Sequence, residues 1–340
     1  MTEFSIGNVR IGGDAPCAII AEIADSHLGR MDVAKRLIEE AKAAGASFAK
    51  FQLHLPDVEM VPGSIQMWDG PLYDILKRNL LTIDQHRELK EHASKVGIEY
   101  LCTPFCAPAA DLLESIGVGG FKTGSGEMTN IPMLRSIARK KKPVIVSTGM
   151  CTIDEIDATV TALKAEKAVF ALMNCTSEYP AKYEHINLPL IATLQERYGV
   201  VIGHSDHTVD GYTALAAVAL GAKIVEKHFT LSKRLPGPDH FISLIPQELA
   251  DLVDGVRKIE KAMVRRPKAV TADEQKVRDW AHHSVVTAAD VAAGAKLTAA
   301  QLTVKRPGSG IPAAKLDDVV GKTAKRAFKK DTILHWDDLS

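Results

Sequence analysis

From residue 18 to residue 263 the sequence alternates, eight times over, between a short apolar stretch and a longer amphipathic one. The short stretches, at 18–23, 48–53, 99–103, 120–123, 144–148, 169–174, 200–203 and 223–228, have the length and apolar content of buried strands. The stretches between them carry apolar residues at helical spacing, at 33–44, 83–95, 108–116, 131–140, 153–165, 188–198, 211–220 and 246–263. Eight β/α units in about 260 residues match a (β/α)8 TIM barrel. An open doubly wound sheet competes, but no glycine-rich dinucleotide fingerprint follows the first strand. A short hairpin is expected ahead of the barrel, at 5–13.

A barrel of this kind gathers its chemistry at the carboxyl ends of its strands. Those ends carry, in chain order, Glu22; Lys50 and Gln52; Thr103; Lys122, Ser125 and Glu127; Ser147; residues 174–179; His204 to His207; and Glu226 with His228. The densest stretch runs from 203 to 244 and holds Gly203-His204-Ser205-Asp206-His207-Thr208, Glu226-Lys227-His228-Phe229-Thr230 and Pro236-Gly237-Pro238-Asp239-His240. His207 falls just past one strand and His228 at the end of the next, so both belong on one rim, where two neutral imidazoles suit a divalent transition metal and leave positions open. An isolated pair of histidines would equally serve as core or surface residues. Asp206, Glu226, Lys227, Asp239 and His240 are expected to crowd the same rim, and that company favours a site.

After the barrel, 265–283 is charged, contains Pro267 and is read as a linker, leaving 284–340 as a small module. Short β-like pieces are expected there at 284–288, 301–305, 324–328 and 332–335. This module holds nine Lys plus Arg against six Asp, a charge of +3, whose sign suits a basic lid over an anionic ligand. Net charge for the whole chain is zero, which gives no bulk field for nucleic acid or membrane. No apolar run reaches membrane-span length and residues 1–10 lack a secretory leader, so a cytoplasmic protein is expected. Five cysteines without CxxC spacing are read as small buried apolar residues in a reducing compartment.

Nearly the whole chain resembles the sialic acid synthase-type (N-acetylneuraminate synthase) family, nonulosonate synthases with a C-terminal antifreeze-like (SAF, β-clip) domain. The resemblance rests on Ala21-Glu22-Ile23, Lys50-Phe51-Gln52, Thr103-Pro104-Phe105, Lys122-Thr123-Gly124-Ser125-Gly126-Glu127, Ser147-Thr148-Gly149-Met150, Cys175-Thr176-Ser177-Glu178-Tyr179-Pro180, Ser205-Asp206-His207-Thr208, residues 226–230, Pro236-Gly237-Pro238-Asp239 and Lys305-Arg306-Pro307-Gly308. It implies condensation of phosphoenolpyruvate with an open-chain N-acylated hexose to a nine-carbon α-keto acid, with release of phosphate. It also implies a divalent metal on His207 and His228, most often Mn²⁺, with Mg²⁺ or Co²⁺ as alternatives.

Glu22, Asp239, Lys50 and Lys122 are then the candidate catalytic residues, the carboxylates to move protons and the lysines to meet the anion. Gln52, Thr103, Phe105, Ser125, Glu127, Ser147, Ser177, Tyr179 and Arg306 are candidates for substrate binding. The family implies that Arg306 reaches over the partner's site in a domain-swapped homodimer. Ala24-Asp25-Ser26 departs from the common pattern of Gly, a variable residue and Asn, and Ser177 stands where Asn is frequent in N-acetylmannosamine-using enzymes. Both positions lie where the sugar's substituents would be read, and they point away from plain sialic acid as product. His282-His283 replaces the more usual basic pair at the start of the module. Two other readings remain: a Schiff-base aldolase using Lys50 or Lys122 as amine nucleophile, and a non-enzymatic ice-binding or scaffold protein.

Overall fold

A computed structural model describes residues 3–67, 70–235, 237 and 239–340. Pro236 and Pro238 of the proline-glycine motif lie outside the described residues. The chain divides into two compact units, Met1–Val264 and Arg265–Ser340.

The first unit opens with an antiparallel hairpin, β1 (Glu3–Ile6) and β2 (Val9–Gly12). Eight parallel strands follow: β3 (Ala18–Glu22), β4 (Phe48–Leu53), β7 (Glu99–Pro104), β8 (Phe121–Thr123), β9 (Val144–Ser147), β10 (Phe170–Cys175), β11 (Val201–Asp206) and β12 (Ile224–His228). In the loop after β4 lies a small antiparallel pair, β5 (Gln66–Met67) and β6 (Gly70–Pro71). The parallel strands follow one another in sequence order around the ring, with β12 pairing back onto β3. Strands β7 and β8 pack side by side and close the barrel.

The helices are α1 (Met31–Ala43), α2 (Pro56–Glu59), α3 (Leu72–Asn79), α4 (Ile83–Val96), α5 (Ala107–Ser115), α6 (Ile131–Arg139), α7 (Ile153–Ala165), α8 (Leu190–Tyr198), α9 (Tyr212–Ala219) and α10 (Pro246–Ala262). Helix boundaries follow local chemistry. Thr82 with Gln85 and Thr152 with Glu155 form capping boxes that open α4 and α7, and Gly97 ends α4 at a left-handed φ of 83°. The segment from 54 to 82 carried no sequence expectation. Its helices α2 and α3 are four and eight residues long, too short for a sustained periodic signal, and neither has a side-chain N-cap.

Side chains alternate across each strand, so residues two apart share a face. Outward-facing Ile19, Ala21, Ala49, Phe51, Val146, Leu172 and Ile202 pack beneath the helices in the larger core. The inward-facing residues of the lower strand halves, Ala18, Ile20, Phe48, Leu101, Ile145, Ala171, Met173, Val201 and Ile224, fill the bore together with Ile6 and Ile11 of the hairpin. The hairpin thus plugs the amino-terminal end of the barrel with apolar side chains. Among the described residues, no helix is long and apolar enough to cross a membrane.

The second unit contains α11 (Ala272–Ala281), an antiparallel pair β13 (Ser284–Thr287) and β14 (Leu302–Lys305), and a core built on Val285, Val291, Leu297, Leu302, Ile311, Val319, Phe328 and Leu334. The segment expected as a linker therefore holds a helix, opened by a capping box between Thr271 and Glu274. The pieces expected as strands at 324–328 and 332–335 make isolated bridges instead, Val291 with Phe328, Val286 with Ile333 and Ala324 with Leu339. Lys325, Arg326, Lys329, Lys330 and Asp331 lie in and between those pieces, and Asp331 turns the chain at a φ of 64°, so no ladder propagates.

Candidate active site

At the carboxyl end of the bore the inward positions change from apolar to ionisable. Two residues above Ile20 comes Glu22, above Phe48 comes Lys50, and above Ile224 comes Glu226. Lys122 enters from β8. Glu22 and Lys50 are register partners on neighbouring strands, as are His228 and Glu22. The four charged side chains are almost wholly buried: Glu22 is 2% exposed, Lys50 3%, Lys122 1% and Glu226 5%.

Lys50 lies against Glu22 Oε2 and 3.3 Å from Glu226 Oε2, and donates to Thr103 Oγ1 at 3.1 Å. Lys122 lies 3.5 Å from Glu226 Oε1 and donates to Ser147 Oγ at 2.6 Å and to the Thr123 carbonyl at 2.9 Å. Ser205 donates to Glu226 Oε1 at 2.9 Å, and Gln52 Nε2 to Glu22 Oε1 at 2.8 Å. Burial alone would neutralise such groups, and the neighbours decide which resist. Burial acts to raise Glu226, but Lys122, Lys50 and Ser205 together bring it down to about 2. Glu22 has Lys50 beside it but also the Glu226 charge, so burial wins and its carboxyl is pushed up. Burial lowers Lys122, with Glu226 in opposition. Burial acts against Lys50 too, yet Glu22 and Glu226 hold its ammonium above the ordinary lysine value.

These groups floor a cleft of about 270 Å³. Glu22, Lys50, Gln52, Thr103, Phe105, Lys122, Ser125, Glu127, Ser147, Ser177, Tyr179, His207 and His228 all line it. Asp239 stands at its edge, with Oδ2 3.7 Å from His228 Nδ1. Burial, reinforced by Asp25 and Glu22, raises the Asp239 carboxyl to about 7. Arg306 belongs to the other unit, where its guanidinium lies 5.6 Å over the Trp280 ring.

The rings of His207 and His228 are 5.3 Å apart, and Tyr179 packs on both. His207 Nδ1 lies 2.9 Å from the Thr176 carbonyl, an arrangement that puts the proton on Nδ1 and leaves the Nε2 lone pair free. Burial, with His207 and Lys50 nearby, holds His228 far below the usual imidazole value, and among the described residues its buried Nδ1 has no hydrogen-bond partner, Asp239 Oδ2 being 3.7 Å away. A neutral imidazole with an unused buried nitrogen is what a metal ligand requires, so the donor set fits a divalent cation. No cluster of three or more His, Cys, Asp or Glu arranged for a metal occurs among the described residues.

Residues 37–268 match the model of the NeuB family, and residues 282–340 that of the SAF domain. The chain belongs to the NeuB family. It is 38% identical over 327 residues to N,N'-diacetyllegionaminic acid synthase of Campylobacter jejuni, covering 93% of this chain and 98% of that one. It is 37% identical to human N-acetylneuraminate-9-phosphate synthase, covering 94% of this chain and 92% of the human one. The crystal structure of an N-acetylneuraminic acid (sialic acid) synthetase from Leptospira borgpetersenii, in complex with citrate, superposes with a TM-score of 0.75 at 35% identity, covering 81% of this chain and 95% of that one. This NeuB-family chain is accordingly an enzyme of the synthase class.

Several expectations need correction within that frame. Asp206 and Lys227 do not share the cleft with Glu226. They sit one residue out of phase with the inward positions, have no side-chain exposure, and pair with each other at 3.0 Å outside the bore. His204 is fully buried in β11, with Nδ1 3.2 Å from the Asn174 carbonyl, and His240 bonds Thr230 Oγ1 at 2.7 Å. Cys175 is not an inert apolar residue. It ends β10 in phase with Ala171 and Met173, lines the cleft, and its Sγ lies 3.4 Å from Ser125 Oγ. Burial acts to raise this thiol, but His207, 3.9 Å away, brings it down to about 7.

Three further residues take roles that sequence reasoning does not assign. Glu226 was placed on the rim without a role, and it proves to be the carboxylate that both lysines share. His54 and Glu59 lie beyond the end of β4: His54 Nε2 is 3.1 Å from Gln52 Oε1 and its Nδ1 2.7 Å from Glu59 Oε1, while its ring stacks on Phe105 at 3.9 Å. This brace aims the Gln52 amide at Glu22. His54 lies two residues past Gln52, continuing the inward phase of β4, and that was the available signal.

Proposed function

We propose that this enzyme condenses phosphoenolpyruvate with an open-chain N-acylated hexose, forming a nine-carbon α-keto acid of the sialic, legionaminic or pseudaminic type and releasing phosphate. The observation that carries the reading is the buried set of two lysines and two carboxylates beside a histidine pair with an unused nitrogen. Phosphoenolpyruvate brings about three negative charges. Glu226, kept ionised between Lys122 and Lys50, offsets part of their charge, so the anion needs further positive charge, and a divalent cation held by His207 and His228, Mn²⁺ in this reading, would meet that need.

Lys122 and Lys50, with the hydroxyls of Ser147, Thr103 and Ser125, are disposed to hold the phosphate and carboxylate in a desolvated floor. A metal held by His207 and His228 would supply Lewis-acid polarisation of the sugar carbonyl. As C3 of phosphoenolpyruvate bonds to the aldehyde carbon, the aldehyde oxygen takes a proton. Water then adds to the electron-poor C2 and loses a proton; the C2–O bond to phosphate breaks as the remaining hydroxyl proton passes to the leaving phosphate, which leaves the keto group. Burial raises both Glu22 and Asp239, the latter to about 7, and these carboxyls are the groups disposed to give and take those protons. Phe105, Glu127, Ser177 and Tyr179 form the wall that meets the sugar, with Gln52 held from behind by His54. Arg306 comes from a partner subunit in a domain-swapped homodimer.

The test is phosphate release from phosphoenolpyruvate with Mn²⁺ and a panel of mannosamine-type and 6-deoxy diacetamido hexoses. Turnover with at least one of them is expected, and Arg306→Ala raises the KM for that sugar. Silence across the panel overturns the reading. Lys122, which burial pushes down, is the amine a Schiff-base aldolase would use; reductive trapping of pyruvate on it would establish that chemistry instead.

A further inference from the structure

Asp206 and Lys227 are register partners across β11 and β12, each one residue before a histidine of the pair. Because side chains alternate, His207 and His228 face the cleft while Asp206 and Lys227 face the opposite side, toward α9. The Lys227 ammonium bonds Asp206 Oδ2 at 3.0 Å, the Thr208 carbonyl at 2.5 Å and Thr208 Oγ1 at 3.3 Å. Asp206 Oδ1 in turn accepts the Thr208 amide at 2.8 Å, and Thr208 Oγ1 lies 3.2 Å from Thr213 Oγ1 of α9.

The hydrogen bonds of this buried ammonium thus go to the two residues that flank His207, while its own backbone carries His228 as the next residue. His207 lies where β11 has just ended and the ladder no longer fixes the main chain. One side chain therefore ties together the two backbones that carry the rings. Buried ion pairs are poor sources of net stability compared with apolar residues of similar volume, whereas they are well suited to fixing register. Groups that orient metal ligands without touching the metal commonly govern affinity by 10- to 100-fold.

We propose that the Asp206–Lys227 pair positions His207 against His228, setting the spacing at which the two rings bind a divalent cation. This inference rests on the two-histidine metal reading above.

The experiment is titration of the full chain with Mn²⁺ alone, following the electron paramagnetic resonance of the free aquo ion, with thermal melts in parallel. The variants are Lys227→Met, the double variant Asp206→Leu/Lys227→Met, and Asp206→Asn, with His207→Ala marking the loss of a ligand. The double variant should melt within a few degrees of wild type, bind Mn²⁺ about 10- to 100-fold more weakly, and regain turnover at saturating Mn²⁺. A folded double variant that binds Mn²⁺ as tightly as wild type overturns the proposal while leaving the metal site intact. If that variant fails to fold, Asp206→Asn decides: weakening of at least about threefold supports the proposal and unchanged affinity overturns it. Wild-type chain that binds no Mn²⁺, or whose binding His207→Ala does not weaken, overturns the metal reading and this inference together.

Discussion

The two ends of the barrel bore are built on the same eight strands and are almost equally shut off from water, yet they do opposite things with that burial. At the amino-terminal end Ile20, Phe48, Leu101, Ile145 and Ile224 meet Ile6 and Ile11 of the hairpin, and none is exposed. Removing such side chains from water stabilises the fold by roughly 1.5–3 kcal/mol apiece. Two residues further along β3, β4 and β12 the side chains become Glu22, Lys50 and Glu226. Burying these ions costs free energy that their mutual pairing only partly offsets. One end of the bore therefore contributes stability and the other consumes it, which is the partition expected where a fold supports a preorganised charged site.

Glu22→Gln breaks the comparison most sharply. The substitution is isosteric, and Lys50 keeps Glu226 Oε2 at 3.3 Å as a counter-charge, so the fold should change little. Turnover is expected to fall about 10³-fold, equivalent to roughly 4 kcal/mol in the barrier, while the urea midpoint shifts by less than about 1 kcal/mol of stability. Steady-state kinetics and urea unfolding on the same preparation check both halves. If stability falls as far as activity does, the carboxyl end of the bore is structural after all.

Leu101→Ala is the mirror experiment. Leu101 is fully buried in the lower bore, two residues below Thr103 on β7. Its truncation should cost about 3 kcal/mol of unfolding free energy, within the range for buried leucines. The kcat per folded molecule should stay within about threefold of wild type, because the lost volume lies beneath the ionic floor rather than in it. A large fall in kcat with stability intact would show that the two ends are mechanically coupled.

The contrast also explains which parts of the molecule were legible in the sequence. Short apolar stretches alternating with helical-period ones, with polar residues at the ends of the short stretches, form a linear pattern, so the eight strands, the hairpin and the gathering of Glu22, Lys50, Lys122, His207 and His228 could be read directly. What could not be read was phase at the rim. Asp206 and Lys227 are as polar as their neighbours, and only their outward phase on β11 and β12 removes them from the cleft. Cys175 was misread for the converse reason: a small thiol looks apolar in a strand, but it holds the inward phase of β10. His54 lay in a segment whose elements are too short to show a period, and its function depends on Glu59 and Phe105, contacts that only the folded loop brings about. In the second unit the expected strands at 324–328 and 332–335 had the composition of strands but not the uninterrupted neighbours that a ladder needs.

The smallest effect belongs to the loop that leads out of β3 between the two histories of the bore, where Glu22 ends the strand and Ala24 follows. Ala24 adopts a left-handed backbone, with φ at 43°. A Cβ in that region costs roughly 1–2 kcal/mol, and it explains why glycine suits this position. Ala24→Gly removes that cost but also gives the unfolded chain more freedom, which takes back roughly 0.4–1 kcal/mol. The net expectation is a gain of about 0.5 kcal/mol, a shift of about 1–2 °C in melting temperature for a unit of this size, measurable by scanning calorimetry. The same substitution removes a methyl group beside Asp25, which, by its effect on Asp239, also bears on the charged end. If the gain in stability comes without a change in sugar KM, the strain at Ala24 is incidental to the site. A rise in KM together with the gain would show that this backbone strain helps to hold the charged end of the bore in its working geometry.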